Sequence, residues 1–221
     1  MKIFFQLCNY YFAGNDSQGL HYGTVTTLEK FYVKWKSSNN DFSIPGSLLD
    51  YPLIEMCEKS QLLDLIRNFI IFDAGIKKVP RQHQFDGIKA SQERIKKQEG
   101  GVIWHTQGSG KSILMVLLAK WLLEYDPNAR VLIVTDRDEL DKQISDVMQD
   151  TGVVSSSAPS PRITSRDKMV EKLKATSPRL LCALIHKFDP ADLNGPPPDI
   201  FGKFYVLVDE CHRTQGGDMN R

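Results

Sequence analysis

Two short stretches of the sequence combine the residue types that bind phosphate groups and a divalent cation. Residues 104–112 read WHTQGSGKS, and residues 209–212 read DECH. In the first stretch, the amides of a glycine-rich turn, the ammonium of Lys111 and the hydroxyl of Ser112 suit a nucleoside triphosphate with Mg²⁺. In the second, Asp209 follows four apolar residues, where a carboxylate that holds Mg²⁺ belongs, and Glu210 is placed to orient an attacking water. Together the two stretches predict a site that binds and hydrolyses ATP.

The glycine-rich turn departs from the usual phosphate-loop pattern at one position. The pattern G-x-x-x-x-G-K-[ST] requires a glycine where this chain has His105. The change removes conformational freedom at the start of the turn but leaves the amide donors near Lys111 in place. We therefore expect nucleotide contacts at Thr106, Gln107, Gly108, Ser109, Gly110, Lys111 and Ser112. For the acidic pair taken alone, the alternative is that two surface carboxylates cap the end of a strand.

Four apolar runs are predicted as the buried strands that position these groups. They cover residues 101–105, 130–135, 180–185 and 204–208. Apolar residues follow one another almost without alternation, which is typical of parallel strands with helices on both faces of the sheet. Residues 111–125 are apolar almost all round and long enough for a buried helix. This order of elements predicts an α/β domain in which the phosphate turn joins the first strand to that helix.

Residues 1–75 have a different pattern. Strand-like segments at 2–12 and 25–35 precede a helix-like segment at 61–72, and neither a phosphate motif nor a metal motif occurs there. A segment rich in lysine and arginine follows at 77–97; it predicts a linker helix with a solvated basic face, with contact to an anionic ligand as the alternative. We therefore expect a smaller α+β domain at 1–75 and an α/β domain at 76–221.

The composition is that of a globular protein, with 41% hydrophobic and 25% charged residues in a chain of 221. A formal net charge of +1 argues neither for nor against nucleic acid, so any basic surface must be local. The four cysteines show no paired spacing, which favours reduced thiols and a cytoplasmic protein. The longest apolar run is far too short to span a membrane, so we expect no membrane partner.

Several segments together resemble one family of DNA motors. Residues 209–212 resemble the D-E-x-H box of superfamily 2 helicases and translocases. With WHTQGSGKS, the segments VLIVTDRDELDKQI (131–144) and VLVDECHRTQ (206–215) narrow the resemblance to the R (motor) subunit of type I restriction endonucleases. Segments RQHQF (81–85), IHKF (185–188) and HYGTVTTLEKFYVKWK (21–36) also resemble parts of that subunit. The resemblance therefore touches nearly the whole chain.

The resemblance implies a fold, an activity and partners. Residues 76–221 would be most of a first RecA-like motor domain, and residues 1–75 the end of a nuclease domain. The whole subunit would couple ATP hydrolysis to translocation of double-stranded DNA and would cleave the DNA far from its recognition site. It would do so in a complex with methyltransferase and specificity subunits, with ATP and Mg²⁺ as cofactors.

The resemblance also implies roles for single residues. Gln84 would contact adenine, Lys111 and Ser112 would bind the phosphates and Mg²⁺, and Asp209 with Glu210 would hold the metal and activate water. His212 would couple the nucleotide site to the surface that tracks DNA. The residues expected near the DNA backbone are Thr135, Asp136, Arg137 and Lys187.

Two features of the family lack a counterpart in the sequence. The E-x-K motif of the nuclease core is absent, and we expect that core upstream of Met1. The second RecA-like domain and its arginine finger are also absent, so we expect an internal fragment with little ATP turnover alone. Two alternatives stay open: a truncated module without catalysis, and another superfamily 2 enzyme such as an RNA or repair helicase.

Overall fold

The computed structural model of the chain describes residues 10–37, 48–73, 75–136, 138, 144–146, 160–185, 188 and 200–209. Contacts divide the chain into two compact units, Met1–Trp104 and His105–Arg221. This division falls later than the domain boundary expected after residue 75, because the helix over residues 82–96 packs on the sheet of the first unit. The domain boundary itself stays a prediction.

The described residues of the first unit combine short strands with three helices. Strands β1 (Tyr11–Asn15), β2 (Gly19–Gly23) and β3 (Val33–Trp35) form an antiparallel sheet in that order. The later elements are α1 (Asp50–Cys57), α2 (Lys59–Asn68), the hairpin of β4 (Ile71–Asp73) and β5 (Ile76–Lys78), and α3 (Gln82–Lys96). The strand predicted at 25–35 is thus reduced to β3, because a 3₁₀ turn at Glu29–Phe31 precedes it. Of the strand predicted at 2–12, residues 2–9 lie outside the described part.

Buried aromatic rings anchor α3 to this sheet. Trp35 of β3 meets Phe85 of α3 edge-on, with ring centroids 5.4 Å apart, and Phe85 also contacts Phe69 at 4.8 Å. The hydroxyl of Tyr22 donates to the carbonyl oxygen of Pro80 at 2.7 Å, just before α3 begins. Burial raises the pKa of Tyr22 well above its usual range, so the phenol stays protonated and keeps this bond. The start of α3 is therefore fixed to the first unit.

The described strands of the second unit form a three-stranded parallel sheet. Its elements are α4 (Lys111–Tyr125), β6 (Ala129–Thr135), α5 (Arg166–Lys174), β7 (Leu180–Leu184) and β8 (Lys203–Val208). The strand order is β7-β6-β8, so the central strand β6 has a neighbour on each side. This confirms the predicted α/β class, the strands at 130–135, 180–185 and 204–208 to within a residue, and the helix at 111–125.

Helices lie on both faces of the sheet at its central strand, β6. On one face, Leu132 and Leu181 pack with Met169 and Leu173 of α5. Side chains alternate along a strand, so Ile133 points to the other face, where it is fully buried. Helix α4 contacts β6, and its residues are buried nearly all round. The continuous apolar pattern of β6 therefore follows from burial on both sides.

Two predictions about the sheet are wrong. Residues 101–105 form no strand, and Trp104 is 85% exposed, because no described strand offers them hydrogen-bonding partners. Strand β8 was expected to be buried on both faces, yet Val206 is 54% exposed, so the described elements leave part of one face of this edge strand uncovered. Within the same described residues, none of the helices is long and apolar enough to cross a bilayer.

Candidate nucleotide site

Two glycines give the turn before α4 its shape. Gly108 has φ +76° and Gly110 has φ +83°, a left-handed conformation that side chains with a Cβ adopt only at a cost. Between them, the N–H of Ser109 donates to the carbonyl oxygen of Thr106 at 3.3 Å, which closes the turn. Ser109 itself is buried, whereas Thr106, Gln107 and Gly108 are exposed. The chain thus reverses sharply and presents the exposed side of the turn to solvent.

The absence of a glycine at position 105 is compatible with this geometry. Among the described residues, the only non-glycine residues with positive φ are Thr26 and Gln98. His105 therefore has an ordinary backbone conformation, and a glycine is not needed there. Within the turn, Gly108 and Gly110 are the residues that adopt a left-handed backbone conformation.

Helix α4 begins directly at the end of the turn. Its N-cap is Gly110, which has no side chain to accept a hydrogen bond, and the N–H of Leu114 donates to the carbonyl oxygen of Gly110 at 3.2 Å. Lys111 and Ser112 occupy the first turn of the helix and are half-buried. The N-terminus of a helix carries a partial positive charge, to which the ammonium of Lys111 adds. The combination suits a phosphate group.

Polar side chains follow the carboxyl ends of two neighbouring strands. Asp209 comes directly after β8, and its N–H donates to the carbonyl oxygen of Val134 in β6 at 2.9 Å. Thr135 ends β6 with no exposed surface, and the half-buried Asp136 follows it. Parallel strands end at the same edge of a sheet, so Asp136 and Asp209 lie at one edge.

The start of α4 lies at this same edge. Helix α4 and β6 are in contact and are joined by a tight turn at residues 126–128, so they run antiparallel. At 15 residues, α4 is about 22 Å long, and at 7 residues β6 is about 23 Å long. Their lengths therefore match, and Lys111 comes to the level of the carboxyl end of β6.

Arg179 fixes this antiparallel pair. Its guanidinium donates to the carbonyl oxygens of Leu123 (2.9 Å) and Asp126 (2.6 Å) at the end of α4 and of Ala129 (3.0 Å) at the start of β6. These carbonyls include groups that a helix end leaves without a partner inside the helix. One side chain thus holds the end of the helix to the start of the strand, at the side of the sheet opposite Lys111.

The donor set at this edge fits a nucleotide with Mg²⁺. Mg²⁺ prefers oxygen ligands and keeps several waters, with only one or two protein carboxylates. Asp209 and Ser112 offer a carboxylate and a hydroxyl, and Lys111 offers a positive charge for phosphate. No group of three or more His, Cys, Asp or Glu side chains that could hold a metal occurs among the described residues.

Gln84 lies in the first unit, and its side chain has a structural partner. Its Oε1 accepts a hydrogen bond from the backbone N–H of Arg81 at 2.8 Å, which caps the start of α3, and the residue is 3% exposed. The expected contact with adenine stays a prediction. Four other residues with predicted roles lie outside the described part of the chain: Arg137, Lys187, Glu210 and His212.

Two features of the structure were missed in the sequence. Arg179 stands directly before strand β7, and the fully buried Arg130 lies inside strand β6. Nothing in the sequence pattern distinguishes these two residues from surface arginines. A cleft in the first unit is lined by lysines of the segment 21–36. In the sequence, this segment was notable only for its resemblance to part of the R subunit. The alternation of lysine with aromatic residues in KFYVKWK is the signal that could have found it.

Comparison with known proteins defines the class. The chain belongs to the SWI2/SNF2 ATPase family, which it matches over residues 83–221. It is also similar to a putative type I restriction enzyme endonuclease subunit of Methanocaldococcus jannaschii, at 29% identity over 93% of this chain and 22% of the relative. These findings confirm the resemblance that the motifs indicated.

Two further relatives carry the same description. The endonuclease subunit of the type I restriction enzyme HindI of Haemophilus influenzae is 30% identical over 73% of this chain and 17% of its own length. A type I restriction enzyme endonuclease subunit of Staphylococcus saprophyticus is 30% identical over 96% of this chain and 22% of its own length. The chain thus spans about a fifth of the length of the relatives it matches.

Proposed function

We propose that this chain is the ATP-binding part of the R subunit of a type I restriction enzyme. In the parent complex, ATP hydrolysis would drive translocation of double-stranded DNA and cleavage remote from the recognition site. The main support is the antiparallel packing of α4 on β6, which brings Lys111 to the sheet edge that carries Asp209. The ATPase family and the relatives described as endonuclease subunits support the same proposal.

The residues of the turn and helix bind the triphosphate. Amides of the glycine turn and of the first turn of α4 donate to phosphate oxygens, and Lys111 places its ammonium on the terminal phosphates. Ser112 and Asp209 hold Mg²⁺ through oxygen atoms. Bound ATP with Mg²⁺ supplies a phosphoryl group whose transfer to water releases the energy for motion. Gln84 contributes an adenine contact in this proposal.

Further residues act next to the triphosphate and along DNA. Glu210 orients the attacking water, and His212 transmits the state of the nucleotide to the surface that tracks DNA. The residues proposed to lie near the DNA backbone are Thr135, Asp136, Arg137 and Lys187. The methyltransferase and specificity subunits are the proposed partners, and the specificity subunit selects the DNA sequence.

Nucleotide titration of the 221-residue chain tests this proposal. A fluorescent ATP analogue is titrated with Mg²⁺ into the wild type and the Lys111→Ala variant. Loss of an ionic contact to phosphate should weaken affinity by about tenfold or more, since a hydrogen bond to a charged group is worth roughly 1.5–3 kcal/mol.

Lys120→Ala is the matched control, because Lys120 lies on the same helix and has the same intermediate exposure, two turns beyond the proposed site. Its affinity should equal that of the wild type. Equal affinity of the Lys111 variant and the wild type, in chains with unchanged circular dichroism, would remove the basis of the proposal.

A further inference from the structure

An open cleft of about 540 Å³ lies in the first unit, and none of the residues predicted to bind the phosphates or Mg²⁺ lines it. One wall consists of residues 30–34 with Lys36, which precede, form and follow strand β3. The other wall consists of residues 81–83 with Asp86, at the start of α3. Gln84, the proposed adenine contact, stands in the same segment as the second wall, but it is buried and does not line the cleft.

The cleft concentrates positive charge. Four of its lining side chains are cations that are exposed to solvent, Lys30, Lys34, Lys36 and Arg81, against one carboxylate, Asp86. Among the described residues, no salt bridge joins any of these four to a carboxylate. The chain as a whole carries only +1, so the cleft holds a local basic excess. A polyanion is the ligand that such a surface attracts.

An exposed aromatic ring lies beside one of these charges. Phe31 is 61% exposed, and the Nζ of Lys30 lies 5.0 Å from the centroid of its ring. Hydrogen bonds hold this part of the wall: the N–H of Phe31 donates to Leu28 at 2.8 Å, and the N–H of Tyr32 donates to Glu29 at 3.0 Å. The ring is therefore presented on a fixed turn. A cationic groove with an exposed ring is the arrangement that binds single-stranded nucleic acid by phosphate contacts and base stacking.

The two walls of the cleft are joined before any ligand binds. The backbone N–H of Lys36 donates to Oε1 of Gln82 at 2.8 Å, and Nε2 of Gln82 donates to the carbonyl oxygen of Lys36 at 2.6 Å. Beneath them, Trp35 packs against Phe85. A ligand that enters this cleft does not have to order the walls, and this reduces the free-energy cost of binding.

We propose that this cleft binds a stretch of single-stranded DNA, with its phosphates on Lys34, Lys36 and Arg81 and a base stacked on Phe31. Duplex DNA fits the observations less well, because its bases are already stacked on one another and leave Phe31 without a function. A single phosphate or a free nucleotide would use only part of a cation set that extends along both walls. The proposal rests on the proposed function only in taking DNA as the ligand.

Fluorescence anisotropy with a short labelled oligo(dT), without nucleotide or Mg²⁺, tests the cleft in the 221-residue chain. Phe31→Ala should weaken binding about fivefold or more through lost stacking. It should leave the salt dependence unchanged, because the substitution removes no charge. Lys34→Ala should lower the slope of log affinity against log salt by about 0.7, the value for one lost phosphate contact to a single strand. Asp86→Asn should tighten binding, because it removes the only carboxylate among the described residues that line the cleft.

The chain offers a matched aromatic control outside the cleft. Phe72 is exposed and has the Nζ of Lys77 over its ring at 5.8 Å, which is the same pairing as Phe31 with Lys30. Phe72→Ala should bind oligo(dT) like the wild type. Thermal melts of all variants show which of them are folded, and the gain expected for Asp86→Asn does not depend on a loss of stability.

Three results would overturn the proposal. The first is equal oligo(dT) binding by the wild type, Phe31→Ala and Lys34→Ala. The second is tighter binding of a duplex that is insensitive to Phe31→Ala, and the third is displacement of the oligonucleotide by stoichiometric ATP. Lys111→Ala separates this proposal from the ATPase: oligo(dT) binding should survive that substitution. If Lys111→Ala abolishes DNA binding while the cleft variants do not, the cleft proposal fails and the ATPase proposal stands.

Discussion

The backbone N–H of Asp209 lies 2.9 Å from the carbonyl oxygen of Val134, so the residue after β8 continues the hydrogen-bond ladder with β6. The position of the Asp209 carboxylate is thus set by main-chain bonds that do not involve its side chain. A substitution of this side chain can change the site without changing the strand.

Asp209→Asn should therefore keep the fold and lose the advantage that Mg²⁺ gives to nucleotide binding. We expect the ratio of affinities with and without Mg²⁺ to fall by about tenfold, because a charged ligand of the metal becomes a neutral amide. Titrations of a fluorescent ATP analogue in Mg²⁺ and in EDTA measure this ratio. An unchanged ratio would assign the metal to another carboxylate.

The left-handed backbone at Gly108 gives a second prediction. A Cβ at this position would meet no atom within 4 Å, so Gly108→Ala costs conformational energy without a steric clash. The left-handed conformation costs about 1–2 kcal/mol for a residue with a Cβ, and we expect the nucleotide affinity to fall several-fold as the turn relaxes.

Gly100→Ala is the control for this substitution, because its Cβ also meets no atom and its φ is not positive. Urea unfolding and nucleotide titration of both variants measure the two effects. If the two variants behave alike, the shape of the turn does not depend on Gly108.

Helix α4 and strand β6 were predictable because both are buried and both show an uninterrupted apolar pattern in the sequence. An uninterrupted apolar pattern arises when neighbours cover an element all round, as they cover α4 and β6. Residues 101–105 have the same pattern but form no strand. Local composition does not show whether a segment has a hydrogen-bonding neighbour in the sheet. The prediction of a strand at 101–105 was therefore wrong because strand formation depends on tertiary contacts.

The proposed site depends on motifs rather than on burial. Lys111 and Asp209 belong to motifs whose residue types and spacing are typical of phosphate and Mg²⁺ binding, so the sequence alone predicts that they act together. The contacts of Arg179 and Gln84 were not predictable, because each partner is a backbone atom and carries no residue type. The cleft beside Phe31 was not predictable either, because it is formed where β3 packs against α3. These two elements are distant in sequence, so no short segment indicates that they pack together.

Arg130 is the subject of a third prediction. The buried guanidinium donates to the carbonyl oxygens of Lys172, Leu173, Pro178 and Phe201 and lies 4.5 Å from the ring centroid of Phe204. Burial lowers its pKa, yet an arginine stays protonated. It thus joins the end of α5, the loop before β7 and the segment that leads into β8.

Arg130→Met should lower the free energy of unfolding by about 3 kcal/mol, because several buried carbonyls lose a charged donor. Arg130→Lys should lose less, since it keeps the charge and some of the donors. Urea unfolding measures both, with Arg94→Met on the exposed face of α3 as the control. A loss equal to that of the Arg94 variant would mean that these bonds contribute no net stability.

The acidic N-cap of α2 makes stability depend on pH. The hydroxyl of Ser60 and the backbone N–H of Gln61 donate to Oε2 of Glu58, the latter at 3.0 Å. These bonds, that from the Ser60 hydroxyl foremost, lower the pKa of Glu58 below its usual value. A carboxyl group whose pKa is lower in the folded state stabilises the fold above its unfolded pKa, and that stability is lost as the pH falls through the folded pKa.

Glu58→Gln should therefore lower the melting temperature at neutral pH and have progressively less effect as the pH falls below about 4.5, the usual value for glutamate. Thermal melts of the wild type and the variant between neutral and acid pH give the difference directly. Glu93→Gln, at an exposed position of α3, serves as the control for the loss of a surface carboxylate that does not cap a helix. If the difference in melting temperature between Glu58→Gln and the wild type is the same at all pH values, the charge of Glu58 does not stabilise the fold through the N-cap of α2.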